Sequence, residues 1–185
     1  CISFGLIFAF IGNQAFSDDK EKVLVMGTSA DYPPFEFIKN GEVVGFDIEL
    51  AHMIVKELGY RLQVQDMKFA SIISSIQTDR IDFGISGITS TPEREKNVDF
   101  SIRYYVPKLA MVYRKENPIL SIKDLNQKII AAQAGTTMES FLQEKLKIGK
   151  VFELRSLSKV SVMIEELKMK RVEGILIEES QAKVF

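Results

Sequence analysis

The chain has 185 residues, 46% of them hydrophobic and 26% charged, with a formal net charge of -1. This is the composition of a globular protein with ample material for a core, and its length suits one or two domains. The balanced charge leaves no basic excess for nucleic acid and no acidic tail.

Residues 1–17 stand apart. Ile2–Ile11 (ISFGLIFAFI) carries no charge and is too short to span a bilayer. Ala15-Phe16-Ser17 then places small residues before Asp18, as at a signal-peptidase site, and the charged run DDKEK follows at once. Residues 1–17 are therefore expected to be a signal peptide with its start trimmed, removed on export to the periplasm. Cys1, the sole cysteine, would leave with it, so the mature chain has no disulfide or thiol chemistry.

From Lys22 onward, β-rich runs alternate with helical patterns. Val23–Thr28 is a buried strand, and Phe35–Ile38 and Val43–Val44 flank a Lys-Asn-Gly hairpin turn. Asp47 can cap a helix running to Leu58, with Leu50, Ile54 and Leu58 on its apolar face and Gly59 as its stop. Arg61–Asp66 is a strand, Phe69–Gln77 a helix with Phe69, Ile72, Ile73 and Ile76 at core spacing, and Ile81–Ile85 a strand. The rhythm then restarts. Leu109–Tyr113 is a strand, Ser121–Asp124 a capping box, and Ile129–Ala132 a strand, followed by a helix that Thr136 or Thr137 opens and that runs to Leu146. Val151–Leu154, Ser158–Lys170 and Gly174–Ile177 are strand, helix and strand. Two such series predict an α/β fold of two lobes, residues 18–105, expected to be incomplete and without its C-terminal return, and 106–185, with parallel sheets and helices on both faces.

In open α/β sheets ligands bind beyond the C-terminal strand ends, and polar segments fall there. The first strand leads to Ser29 and Tyr32, with Pro33-Pro34 stiffening the loop that carries the ring. The fourth leads to Ser86, Gly87, Thr89 and, on a short helix, Arg94. A strand of the second series leads to Gln133, Gly135, Thr136, Thr137 and Met138, where a helix N-terminus offers N–H groups to an anion. The last strand ends at Glu178, a carboxylate. Singly, each has an ordinary structural explanation: a surface arginine, a helix cap, a packed loop aromatic, a solvated acid. Together they form the polar inventory for an α-amino acid, with a guanidinium for its carboxylate and a carboxylate for its ammonium. There is no nucleophile–base pair and no metal-ligand spacing, so neither catalytic residues nor cofactors are expected. His52 sits mid-helix and is expected to be packed or exposed rather than functional.

The segments Asp31-Tyr-Pro-Pro-Phe-Glu-Phe37, Gly45-Phe-Asp-Ile-Glu-Leu-Ala51, Gly87-Ile-Thr-Ser-Thr-Pro-Glu-Arg94 and Val98-Asp-Phe-Ser101, with Tyr104-Tyr105, resemble the polar amino-acid-binding proteins of bacterial ABC importers, in order from Lys22 onward. The resemblance implies a type II periplasmic-binding-protein-like fold whose two lobes close on a free amino acid and present it to an inner-membrane permease, the protein acting as a monomer. Carried over by position, Arg94 would grip the α-carboxylate with the N–H groups of Thr89 and Thr137. Glu178 would take the α-ammonium with Thr89 and the Gly87 carbonyl, and Tyr32 and Phe69 would sandwich the side chain. Ser29, Ser86, Gln133 and Met138 match positions that vary with specificity. Ser29 stands where many members have an acidic residue, which weakens the case for a cationic ligand, and Glu178 stands where Asp is usual. The ligand is expected to be arginine, glutamine or a similar polar amino acid. The same scaffold also serves periplasmic dehydratases and sensor input domains, which are the competing readings.

Overall fold

The computed structural model describes residues 22–149 and 151–184. The expected signal peptide lies outside them. In the first lobe, β1 (Val23–Thr28) pairs in parallel with β5 (Arg61–Asp66) on one side and β6 (Phe83–Gly84) on the other. A small antiparallel sheet of β2 (Asp31–Tyr32), β3 (Glu36–Lys39) and β4 (Glu42–Val44) follows β1. Its turn is Asn40-Gly41, with φ of 54° and 85°, the backbone that a two-residue hairpin of this twist requires. Helices α1 (Phe46–Glu57) and α2 (Ile72–Gln77) complete this part.

The second lobe is built on a sheet ordered β7-β10-β8-β9, with β7 at Leu109–Tyr113, β8 at Ile129–Gln133, β9 at Glu153–Leu157 and β10 at Gly174–Glu178. β7 runs antiparallel to β10, whereas β10, β8 and β9 are parallel. Every residue of β10 (GILIE) is buried, as a strand covered on both faces by helices must be. Helices α3 (Thr137–Lys147) and α4 (Val160–Lys168) pack on this sheet, and the short α5 (Glu179–Ala182) follows β10. The core divides by face. Met163, Ile164, Leu167, Ile175 and Ile177 pack in one cluster, and Leu142, Ile130, Leu176 and Phe152 in another.

Several elements differ from their expected bounds, and the expected helix over Phe69–Gln77 is a 3-10 turn (Phe69–Ser71) followed by α2. Helix α1 starts at Phe46 behind Gly45, not under an Asp47 cap. Asp47 is buried and accepts the Gly87 N–H at 3.0 Å and the Tyr104 hydroxyl at 3.1 Å. Ile48, Ala51 and Val55 are buried on the same helix, while Ile54 and Leu58, expected on its apolar face, are exposed. The expected strand at Ile81–Ile85 pairs only at Phe83 and Gly84, because the Asp82 carboxylate takes the Val25 N–H at 2.7 Å. β9 begins at Glu153 rather than Val151, since register with β8 starts at Ile129 opposite Glu153. Helix α4 begins at Val160 rather than Ser158, behind Lys159, which makes no side-chain cap.

Candidate functional site

The residues expected to bind a ligand line one cavity between the two lobes: Ser29, Tyr32, Phe69, Ser86, Gly87, Thr89, Arg94, Gln133, Thr136, Thr137, Met138 and Glu178. Glu36 lines the cavity with them.

One wall is cationic. Arg94 rises from a single 3-10 turn (Arg94–Lys96), half-buried. Its Nη1 donates to the Thr89 carbonyl at 2.7 Å and its Nη2 to the Gly135 carbonyl at 2.8 Å, so one guanidinium touches both lobes. The same group lies 5.6 Å from the centroid of the Phe69 ring, within cation–π range. Among the described residues no carboxylate pairs with it within 4.0 Å. Burial lowers its pKa, and Glu93 opposes that. Beside it α3 begins. Thr136 caps that helix by accepting the Glu139 N–H at 3.2 Å, and its hydroxyl donates to Gln133 O at 2.7 Å. The first N–H groups of such a helix have no intrahelical acceptor, which makes this end attractive to an anion.

Two buried carboxyl groups line the cavity as well. Glu178 ends β10, buried, and its pKa is raised by that burial, with the Tyr32 hydroxyl opposing and Asp47 adding to it. Glu36 opens β3 with no solvent exposure. Its Oε1 accepts from the Ser86 hydroxyl at 2.6 Å, while the Ser86 oxygen accepts the Ser29 N–H at 3.1 Å. Its Oε2 has no hydrogen-bond partner. Burial, then the neighbouring Asp47 charge, pushes Glu36 up to about 10. Burial likewise raises Asp47, against the Gly87 N–H and the Tyr104 hydroxyl.

The side chains with specificity expectations are also held. Gln133 is buried and donates to Ser158 O at 3.3 Å, and Met138 is buried beside it in the wall. Tyr32 is buried, its ring 6.0 Å from that of Phe35 and packed with Val160 and Met163 of α4. A broader groove adjoins the cavity and shares Gly87, Thr89 and Glu178 with it; loop residues 100–107 form its far side. His52 is exposed.

Glu36 is the lining residue that the sequence reading did not single out, although its motif was in view. Alternation in Phe35-Glu36-Phe37 turns the acid away from the face of its two aromatic neighbours, so the pattern alone does not mark it. Among the described residues no cluster of His, Cys, Asp and Glu could hold a metal, and no helix is long and apolar enough to cross a membrane.

The chain is similar to several known proteins. The arginine-binding extracellular protein ArtP of Bacillus subtilis is 39% identical over 185 residues, all of this chain and 72% of ArtP. The ABC transporter arginine-binding protein 1 of Escherichia coli is 32% identical, with 92% of this chain and 69% of that protein aligned. Among solved structures, an ancestral arginine-binding protein bound to arginine superposes with a TM-score of 0.84 at 37% identity, covering 89% of this chain and 73% of that one. These likenesses place the two lobes in the periplasmic-binding-protein-like fold. The profile of the family matches residues 24–178, and the chain belongs to the bacterial extracellular solute-binding proteins, family 3.

Proposed function

We propose that this chain captures one free L-amino acid, arginine, between its lobes and presents it to the permease of an ABC importer. The observation that carries this reading is a cavity between the lobes lined by one cation and two buried carboxyl groups at separate positions. Arg94 and the first turn of α3 suit the α-carboxylate, a bidentate guanidinium pair beside a helix N-terminus. Glu178 suits the α-ammonium. Glu36, with Oε2 unpartnered, is left for a cationic side chain, and it supplies the charge that Ser29 lacks. Tyr32 and Phe69 offer ring faces to the aliphatic stem and the guanidinium.

The relatives support the choice of ligand. They include proteins named for arginine binding, and the ancestral protein has also been solved with glutamine. Residues 18–105 and 106–185 serve as the two lobes, residues 1–17 as the export signal cleaved on the way to the periplasm, and the mature protein works as a monomer. Contacts from both lobes to one ligand favour the closed state that a permease recognises. The reaction is capture and release, so arginine is recovered unchanged.

A thermal-shift panel of the common L-amino acids tests this. Ligand bound only by the folded state raises Tm by mass action, by about 2.7 kcal/mol in stability at one hundred times Kd. Arginine is expected to give the largest rise. A flat response across the panel, or a largest rise with an acidic amino acid, contradicts the reading.

A further inference from the structure

Helix α4 has no cap of its own. Lys159 occupies its N-cap position with extended backbone and makes no side-chain cap, and no acidic residue lies in its first turn. In α3, by contrast, Thr136 caps from within. The missing acceptor comes from the other lobe. Asp31 Oδ2 accepts the Val160 N–H at 2.6 Å, across 129 positions of sequence. The Ser161 N–H and the Lys159 charge also act on that carboxylate. Its other oxygen accepts from the hydroxyl of Ser29, a lining residue of the cavity, at 3.2 Å. Around this bond the contact is apolar: Tyr32 and Phe35 of the hairpin pack with Val160, Met163 and Ile164.

We propose that Asp31 is a latch residue that holds the two lobes closed by capping α4 in trans, setting how long a ligand stays without touching it. An N-terminal helix end and a carboxylate attract each other through both the free N–H groups and the helix dipole. When the lobes part, that attraction is lost: α4 keeps an uncapped first turn and Asp31 returns to water. The bond therefore forms only on closure and slows opening, whereas encounter with the ligand involves the open form. Ser29 ties the latch to the cavity floor.

The kinetic test rests on arginine being the ligand, so it is paired with a readout that needs none. Stopped-flow measurement on Asp31→Ala is expected to show arginine leaving about tenfold faster, the scale of one lost cap, with the association rate unchanged. Spin labels at exposed Lys56 and Lys168, placed as cysteines in a Cys1→Ser background, are expected to gain a longer-distance population in the same variant without ligand. Adding Lys159→Ser to Asp31→Ala gives α4 a local cap; thermal stability should recover while the fast release remains. Asp31→Asn, which keeps one acceptor, serves in place of Ala where the latter does not fold and should shift both readouts the same way. The latch is overturned if Asp31→Ala only lowers Tm with both readouts unmoved, or if Lys159→Ser restores slow release. Failure of the parent chain to bind arginine, with the label distance still lengthened by Asp31→Ala, would count against the ligand and not the latch.

Discussion

Ser86 donates its hydroxyl to Glu36 at 2.6 Å and leaves the second oxygen of that fully buried carboxyl unpartnered. No cation compensates it among its main influences; Asp47 and Asp31 both push its pKa upward, as burial does. Without a ligand these surroundings favour the neutral form of Glu36, whereas a guanidinium beside it would favour the ionised form.

That gives a pH dependence with a definite sign. Cation binding favours the ionised form, so below about 10 arginine binding releases a proton and affinity rises with pH. Calorimetry at pH 6 and pH 8 should find tighter binding at the higher pH, by up to about tenfold per unit. Glu36→Gln should bind more weakly and lose most of the slope. The same raised pKa makes folding take up a proton above the ordinary carboxylate range, so stability without ligand should fall as pH rises from 5 toward 9. Glu36→Gln should flatten that fall in a thermal melt.

Asp47 yields a stability prediction. It accepts from Gly87 N–H and Tyr104 hydroxyl, and so ties α1 to the loop carrying Thr89 and Arg94. Asp47→Ala leaves both donors without their partner and is expected to cost about 1–3 kcal/mol in urea unfolding, from roughly 0.5–1.5 kcal/mol per hydrogen bond lost. Tyr104→Phe removes one donor and keeps the ring, and should cost only about 1 kcal/mol.

Gly135 and Gly149 separate steric contact from backbone strain. Both have left-handed backbone, φ 80° and 87°. A Cβ at Gly135 would lie 2.9 Å from that of Ala70 in the first lobe, whereas one at Gly149 meets nothing within 4 Å. Gly149→Ala should cost about 1 kcal/mol of stability with arginine affinity intact. Gly135→Ala should add a loss of affinity of at least tenfold, because the added methyl holds the α3 end off the turn bearing Phe69. Equal affinities in the two variants would contradict this.

The fold was largely legible because its signals are local. β7 spans Leu109–Tyr113 as expected, and the capping box at Ser121 and Asp124 and the Thr136 cap are present. What failed depends on distant partners. Asp47 looked like a helix cap, and only Gly87, forty positions away, shows why it is not. The end of α4 was misplaced at Ser158 because its cap arrives from Asp31. The cavity residues could be assembled from strand ends because the fold brings strand ends together. Glu36 escaped because its role rests on what it lacks, a partner for Oε2, which sequence cannot display.

The central claim is that Arg94 holds the carboxylate of a bound arginine. Equilibrium dialysis with radiolabelled L-arginine, on the parent chain and on Arg94→Ala, tests it most directly. One arginine per chain is expected and, in the variant, at least a hundredfold loss, since a half-buried charge-assisted bidentate pair is broken, at about 3 kcal/mol. Undiminished binding in a folded Arg94→Ala chain would contradict it.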